Sequence, residues 1–325
     1  MKAFTIGAND AGMRVDKFVA KVAPCLPKSL LYKYIRLKRI KVDGKRTAIS
    51  QRLTVDSLVE LYVNDEFFEA KAPTFLDAPT HVEILYEDEN ILIVDKKPGL
   101  VVHEDESGSP DTLIGRIQHL LYERGEYDPE QENSFAPALC NRIDRNTGGI
   151  VLAAKNAPAL RILNEKIKVR EVRKRYLCIM HGHLKEKNGT LTTYQVKDEA
   201  QKKVHVYDHP MPNGLTAVTK YHVLDEQGAL SLLEVELVTG RTHQIRAAFA
   251  HIRHPLLGDS KYGDNECNRP YKLRYQALYA YQTTFAFSTD AGPLNYLKGK
   301  TFNVEEIWFA RKTHSGFCIQ DSLRR

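Results

Sequence analysis

The sequence lacks the features that would place it in a membrane, in an oxidising compartment or around a metal ion. No stretch of its 325 residues approaches the ~18 consecutive apolar residues that a membrane helix needs. The five cysteines are scattered and form no CxxC pair, and the N-terminus has no apolar signal-peptide region. These absences predict a cytoplasmic protein without disulfides, structural zinc or a membrane partner.

Signatures of nucleotide binding and of repeat architecture are also missing. The chain has 19 glycines but no GxGxxG or Walker-type loop, and it has no internal repeat. With 42% hydrophobic and 27% charged residues, it has the composition of a globular protein with ample core material. We therefore expect folded domains that carry neither a metal nor another cofactor.

What is present is a concentration of positive charge at one end of the chain. Residues 1–60 contain 13 Lys and Arg but only 5 Asp and Glu, whereas the whole protein has a net charge of +6. A local excess of this size attracts polyanions such as nucleic acid. A solvated helix face would produce the same count, so charge alone does not decide between the two.

The pattern of this basic block predicts two short helices followed by a hairpin. An apolar stripe with helical spacing runs through residues 14–23, and Ser29 is a candidate N-cap for the second helix. Asp43-Gly44 is a strong two-residue turn signal, and residues 57–63 predict a further strand. Together these elements would form a compact module with one cationic edge.

This segment, RVDKFVAKVAPCLPKSLLYKYIRLKRIKVDGKR, resembles the S4 RNA-binding domain. The resemblance implies a small α/β domain over residues 12–75 that binds structured RNA through its second helix and its hairpin. The cations that the resemblance assigns to RNA binding are Lys28, Lys33, Arg36, Arg39 and Lys41.

After a linker at residues 76–81, the pattern predicts an α+β catalytic domain over residues 82–311 and a tail over 312–325. Hairpins dominate over βαβ units, so the expected sheet is mixed but mainly antiparallel. A helix is predicted over residues 158–172, and another after Gly240. The predicted strands cover residues 82–86, 91–95, 150–154, 175–181, 217–224 and 230–238.

An aspartate between two arginines is the first candidate for chemistry. Asp144 lies between Arg142 and Arg145, in a loop that ends in two glycines before a predicted strand. Nearby positive charges favour the ionised and nucleophilic form of a carboxylate. The alternative is a structural loop in which Asp144 is a helix cap or an ion-pair partner.

Two further segments carry concentrated charge. The basic run from Lys166 to Tyr176 suits phosphate contact, for which Lys174 is a candidate, and Tyr176 could stack on a base, transfer a proton or pack in the core. In the segment Thr239–His251, Arg241 and Arg246 are five residues apart and cannot share one narrow helix face. One of them can reach a carboxylate while the other reaches backbone or phosphate.

Three histidines of this region suggest a metal site but do not have the spacing for one. His243, His251 and His254 would span roughly 16 Å along a helix axis at ~1.5 Å per residue. That distance is too long for a single ion.

Four motifs in order resemble those of the RluA family of RNA pseudouridine synthases. The similarity extends over about residues 82–310. The motifs are ILYEDENILIVDKKPGLVVHED, IDRNTGGIVLAAKN, KRYLCIMHG and TGRTHQIRAAFAHIRHPLLGDSKYG. The resemblance implies an isomerase that converts uridine to pseudouridine in RNA and needs no cofactor.

The resemblance also assigns roles to single residues. Asp144 matches the catalytic aspartate, Arg246 the arginine that pairs with it, and Tyr176 the tyrosine that stacks on the target base and is a candidate for proton transfer. Arg142 matches the arginine that enters the RNA stack as the target nucleotide leaves.

The sequence also departs from the family pattern. Asn141 and Tyr279 stand where the family usually has His, and Gly148 stands where it has Ser.

The substrate implied is structured RNA whose target base is flipped out of the helix. Members with an S4 domain commonly modify large-subunit ribosomal RNA, so 23S ribosomal RNA is the preferred target and transfer RNA the alternative. Attack at C6 of the base and attack at C1′ both remain open. A non-catalytic RNA-binding or ribosome-assembly factor is the rival interpretation, and we expect a monomer.

Overall fold

The N-terminal unit is a four-stranded antiparallel sheet packed against two helices. The computed structural model describes residues 1–69, 74–106, 108–313 and 316–318. The sheet has the strand order β1-β4-β2-β3, and a 3-10 turn at Asp65–Phe68 follows it. The elements of the unit are β1 (Lys2–Thr5), α1 (Val15–Val22), α2 (Lys28–Arg36), β2 (Ile40–Val42), β3 (Lys45–Arg46) and β4 (Leu58–Leu61).

Local sequence explains most of this unit. The apolar stripe of α1 buries Phe18 and Val19 in the core. Asp43 and Gly44 both have positive φ angles, 51° and 71°, as a two-residue hairpin turn of the type I′ class requires. The predicted hairpin and the strand near residues 57–63 are therefore confirmed.

Two details of the unit differ from the expectation. Ser29 is not the N-cap of α2, because the helix begins one residue earlier, and Pro27 occupies the cap position without a side-chain hydrogen bond. The strand β1 was not predicted, yet it pairs with β4 along its whole length, so the sheet includes residues before the predicted boundary at 12.

The large unit is α+β, with a mixed and mainly antiparallel sheet, as the sequence predicts. Its strands follow the order β11-β10-β12-β13-β9-β14-β8-β6-β5, with β15 and β7 paired at β14 and β8. Only β14 and β8 run parallel among its ladders in the described residues. The strands are β5 (Ile84–Glu87), β6 (Ile91–Lys96), β7 (Ala138–Leu139), β8 (Gly148–Ala154), β9 (Val172–His181), β10 (Asn188–Asp198), β11 (Lys203–Tyr207), β12 (Leu215–Gln227), β13 (Leu230–Leu237), β14 (Leu278–Phe285) and β15 (Thr301–Asn303).

The centre of this sheet is buried on both faces. On β6, Ile91 and Ile93 pack into one core while Leu92 and Val94 pack into the other, as alternation along a strand requires. The helices that cover the faces are α3 (Leu113–Glu123), α4 (Ala157–Lys168) and α5 (Gln244–His251), and α6 (Asn265–Asn268) is a single short turn. α4 covers the first core, and α3 and α5 cover the second.

The predicted end of one helix in the large unit is wrong. The helix predicted over residues 158–172 ends at Lys168, because Arg170 adopts a positive φ of 64° and Val172 already begins β9. Where the predicted tail begins, β16 (Arg311–Thr313) pairs with β17 (Gly316–Cys318), and Phe317 is buried in the core. Tail residues 314, 315 and 319–325 lie outside the described residues.

The two units contact each other through the loop between β1 and α1. Asn9 donates to Glu132 and accepts from the first amide of α4, at Ala157, over 2.7 and 3.0 Å. The buried Asp10 accepts hydrogen bonds from Asn133 and Ser134. No helix in the described ranges is long and apolar enough to span a bilayer.

Candidate active site

Asp144 lies in the loop that leads into β8, and backbone constraints shape that loop. Gly149 has a φ of 115°, and a Cβ there would overlap the backbone of Ala280 on the neighbouring strand. Asn141 accepts a hydrogen bond from the amide of Leu152 at 2.8 Å, which ties the start of the loop to β8. The Asp144 side chain is 27% exposed and faces a cavity.

A buried lysine holds the other side of this loop. Lys96, at the end of β6, donates to the carbonyl oxygens of Lys97, Leu100 and Arg145 at 2.8 to 3.0 Å. Burial lowers the pKa of Lys96 to about 7, against the opposing effect of the Asp144 and Asp95 charges. Lys96 therefore joins the Lys97–Leu100 turn to the residue directly after Asp144.

Arg246 bridges two carboxylates. Its Nη1 donates to Oδ2 of Asp144 at 2.8 Å, while Nε and Nη2 bind both oxygens of Asp259 at 2.7 and 2.9 Å. Arg246 is only 7% exposed, and Asp259 is fully buried. The bidentate bond to Asp259 fixes the plane of the guanidinium and aims its remaining edge at Asp144.

Charge pairing keeps these buried groups ionised. Burial opposes the charge of Arg246, but its hydrogen bonds to Asp259 and the two carboxylate charges raise its pKa. Burial likewise opposes the charge of Asp259, and the bonds from Arg246 lower the pKa of that carboxyl. The cluster thus presents a permanent cation to Oδ2 of Asp144.

The cavity beside Asp144 has a volume of about 800 Å³. It lies on the α5 side of the sheet, and the helix presents its first residues to it. The structure brings six of the predicted site residues to its lining, namely Arg142, Asp144, Lys174, Tyr176, Arg241 and Arg246.

Tyr176 lies on β9 with its side chain in the core beneath this cavity. It is 6% exposed and packs in the same cluster as Ile143 and Ile245. Burial, followed by the nearby charge of Asp144, raises its pKa. A phenolate at neutral pH is therefore disfavoured at this position.

The cationic side chains around the cavity differ in exposure. Arg142 and Arg241 are exposed, and Arg241 donates to the carbonyl oxygen of Thr216 at 3.1 Å. Lys174 is half-buried, and burial lowers its pKa to about 8. All three border the cavity that contains Asp144.

The five predicted cations of the N-terminal unit do not line this cavity. Four are exposed, Lys41 is half-buried, and none has an ion-pair partner in the part of the chain that the structure describes. Three contact tyrosine rings, with Lys28 over Tyr32, Arg39 over Tyr34 and Lys41 over Tyr62 at 5.0 to 5.8 Å from the ring centres.

Two residues that depart from the family motifs, Gly148 and Tyr279, lie next to each other in the structure. A Cβ on Gly148 would overlap the ring of Tyr279, which packs over this position from the parallel strand β14. The hydroxyl of Tyr279 donates to Oδ1 of the buried Asp95 at 2.6 Å. The glycine makes room for the tyrosine, so the two substitutions form one packing arrangement.

Asp259 and Lys96 are the principal site residues that sequence reasoning missed. Asp259 lies in the quoted GDSKYG segment, where an aspartate next to glycine has the appearance of an ordinary turn residue. Lys96 lies in DKKPG, where nothing in the local pattern indicates that the first lysine is buried. Only the folded chain places them beside Asp144.

Sequence comparisons relate this chain to one enzyme family. The RNA pseudouridylate synthase family matches residues 90–251. An uncharacterized RNA pseudouridine synthase of Mycoplasma genitalium is 32% identical over 289 residues, which cover 87% of this chain and 88% of the relative. The ribosomal large subunit pseudouridine synthase D of Escherichia coli K12 is 32% identical over 260 residues, covering 80% and 75%.

A solved structure shares the fold. The human RNA pseudouridylate synthase domain containing 1 superposes with a TM-score of 0.53 at 21% identity, over 65% of this chain and 81% of that one. Fold and relatives together define the class of enzyme, an isomerase that acts on RNA. The chain belongs to the RNA pseudouridine synthases.

Proposed function

We propose that this enzyme converts specific uridines of structured RNA, foremost those of large-subunit ribosomal RNA, to pseudouridine, with Asp144 as the nucleophile. The observation that carries the proposal is the asymmetry of the Asp144 carboxylate. Oδ2 is held by Arg246, whereas Oδ1 has no hydrogen-bond partner among the described residues, and the Asp144 residue lines the cavity. An ionised, oriented carboxylate with one free oxygen suits nucleophilic attack.

The reaction breaks the N1–C1′ bond and forms a C5–C1′ bond, with loss of the C5 proton and protonation of N1. The reaction is redox-neutral, so it requires no hydride carrier. Attack of Oδ1 at C6 and attack at C1′ are both compatible with this balance. Either route needs the base outside the RNA helix.

Base flipping costs a few kcal/mol, and the cavity offers interactions that offset this cost. Stacking on an aromatic ring contributes about 1–3 kcal/mol, and Tyr176 is the ring beneath the cavity. Its raised pKa supports stacking as its role in preference to proton abstraction. Arg142 is exposed at the cavity, where it can fill the gap that the flipped nucleotide leaves.

The N-terminal unit, over the proposed domain of residues 12–75, supplies a second RNA contact in this proposal. Its exposed cations and adjacent tyrosine rings combine charge attraction with stacking surfaces, which suits RNA. The relatives named as large-subunit enzymes support ribosomal RNA as the substrate. Transfer RNA is the competing substrate that the same chemistry allows.

The test is Asp144→Asn, assayed by tritium release from 5-tritiated uridine in large-subunit ribosomal RNA and in transfer RNA. We expect release from ribosomal RNA by the wild type and none by the variant. Asp225→Asn, a half-buried aspartate in the β12–β13 hairpin and outside the cavity, is the matched control.

Undiminished release by Asp144→Asn would contradict the nucleophile assignment. Pseudouridine mapping in a strain without the protein separates the remaining alternatives. A site lost from transfer RNA only would overturn the choice of substrate. An unchanged map with a ribosome-assembly defect would favour the non-catalytic rival.

A further inference from the structure

His243 lies between the Asp144 carboxylate and Tyr262, a tyrosine to which the family resemblance assigned no role. Its Nε2 is 3.9 Å from Oδ2 of Asp144, and its Nδ1 is 2.8 Å from the hydroxyl of Tyr262. The ring of Tyr262 also lies 5.3 Å below the guanidinium of Arg246. Tyr262 therefore supports both side chains that approach Oδ2.

The backbone of His243 is held in an uncommon conformation. It occupies the N-cap position of α5 with a φ of 52°, in the left-handed region that non-glycine residues rarely adopt. A conformation of this kind is strained and persists only where the surrounding structure enforces it. This observation is independent of the side-chain contacts and also points to a site-related role.

The hydrogen bonds of Tyr262 favour one tautomer of His243. The amide of Val204 donates to the Tyr262 hydroxyl oxygen at 2.8 Å. The single proton of that hydroxyl is left to donate, and Nδ1 of His243 is its acceptor among the described residues. A neutral imidazole whose Nδ1 accepts must carry its proton on Nε2, which faces Asp144.

We propose that His243 is a positioning residue that, together with Arg246, holds Oδ2 of Asp144 through its Nε2–H and leaves Oδ1 as the reacting oxygen. The inference rests on the proposed role of Asp144 as the nucleophile. At 3.9 Å the contact is too long for a hydrogen bond. A movement of about 1 Å would close it, and such contacts commonly tighten when substrate binds.

Burial of the ring favours the neutral form of His243. Burial lowers its pKa, as do the charges of Arg246 and Lys261, while Asp144 and Asp259 act in the opposite direction. Protonation would place a second proton on Nδ1, so the Tyr262 hydroxyl would have to turn its own proton away. An imidazolium would also stabilise the negative charge of the Asp144 carboxylate and make it a weaker nucleophile. The reaction should therefore slow as the pH falls and His243 becomes protonated.

The first experiment compares His243→Ala with His243→Gln in single-turnover isomerisation of the wild type's RNA substrate. We expect His243→Ala to slow the reaction roughly 10- to 100-fold, the effect of one hydrogen bond to a charged group, with unchanged RNA affinity. Glutamine offers an N–H donor near the Nε2 position and should restore most of the rate. His251→Gln, on the same helix but paired with the exposed Asp208, is the matched control.

An alanine variant with the wild-type rate overturns the proposal. A glutamine variant no faster than alanine overturns the donor role. A variant that loses RNA affinity while its rate at saturation is unchanged identifies His243 as an RNA contact instead.

The second experiment records the pH profile of Tyr262→Phe. Phenylalanine keeps the ring under Arg246 but removes the hydroxyl that stabilises neutral His243, so His243 should protonate at a higher pH. The acid limb of the single-turnover rate should therefore move to higher pH. Tyr221→Phe, which removes a tyrosine hydroxyl outside the site, should leave the acid limb of the rate profile unchanged. An acid limb that does not shift in Tyr262→Phe contradicts the tautomer argument.

A third measurement needs neither RNA nor activity. In the wild-type protein labelled with ¹⁵N-histidine, NMR identifies the protonated ring nitrogen, and the signal that His243→Gln removes is assigned to His243. We expect the proton on Nε2; a proton on Nδ1 overturns the inference. Failure of the nucleophile proposal appears separately, as activity that survives in Asp144→Asn.

Discussion

The cations at the active site and those of the N-terminal unit differ in what neutralises them. Arg246 is buried and bonded to two carboxylates, whereas Lys33, Arg36 and Arg39 are exposed and have no carboxylate partner in the described ranges. A buried pair is barely screened by salt, while exposed charges lose their reach beyond roughly 10 Å at 0.1 M salt. In the proposed function, the first arrangement orients the reacting carboxylate and the second attracts RNA.

Replacing Arg246 should cause the largest effect, because it affects both catalysis and folding. In Arg246→Met we expect a fall of roughly 100-fold or more in single-turnover tritium release, since Oδ2 of Asp144 loses its partner. The free energy of unfolding should fall by about 3–5 kcal/mol, because Asp259 is left as an unpaired buried charge. Denaturant titration measures the second quantity.

The double variant Arg246→Met with Asp259→Asn separates the two effects. Removing the buried carboxylate charge should recover much of the stability without recovering activity. If Arg246→Met is as stable as the wild type, the buried Asp259 carboxylate does not need Arg246 to compensate its charge.

An intermediate effect is expected at Tyr176, which belongs to the buried site but carries no charge. Tyr176→Leu removes the aromatic surface and should slow isomerisation roughly 5- to 150-fold, as loss of 1–3 kcal/mol of stacking implies. Tyr176→Phe retains the ring and should stay near the wild-type rate in the same assay. A phenylalanine variant as slow as leucine would assign the hydroxyl a role in proton transfer.

The smallest effect on chemistry, and the clearest effect of salt, is expected in the N-terminal unit. Replacing Lys33, Arg36 and Arg39 together by glutamine should weaken RNA binding but leave the rate at saturating RNA unchanged. If each contacts one phosphate, the slope of log K against log[salt] should become less negative by roughly 2 to 3. Filter binding across a salt series measures this slope.

A matched control replaces three cations that already pair with glutamates, namely Arg124, Lys187 and Lys197. Their substitution should change the slope little. A slope that is identical in the wild type and in the variant of the N-terminal unit would remove that surface from the RNA interface.

Elements with strong local patterns were predictable from the sequence. The β12–β13 hairpin and α5 form where alternation and helical spacing predicted them. The end of α4 was not predictable in the same way, because the apolar pattern continues to Val172 and only the left-handed turn at Arg170 separates helix from strand. The β1 strand is short, and its existence depends on pairing with β4, more than 50 residues away.

In the candidate site, too, some residues were predictable from local sequence and others only from contacts between distant segments. Motif resemblance identified Asp144, Tyr176 and Arg246, and the structure brings all three to one cavity. The partners that orient them came only from the fold. Tyr262 reaches His243 across a loop, and Lys96 reaches the carbonyl oxygen of Arg145 from another strand. Such contacts leave no periodic signal, because each joins segments that are distant in sequence.

The packing of Tyr279 against Gly148 has an evolutionary consequence. A serine introduced at position 148 alone would collide with the ring, and the buried Asp95 would be left without its hydroxyl donor if the ring were displaced. The two positions are therefore epistatic: a lineage can exchange Gly148 for Ser at little cost only after position 279 has become smaller. Starting from the serine and histidine that are usual in the family, an ancestor of this chain should carry glycine at 148 before, or together with, tyrosine at 279.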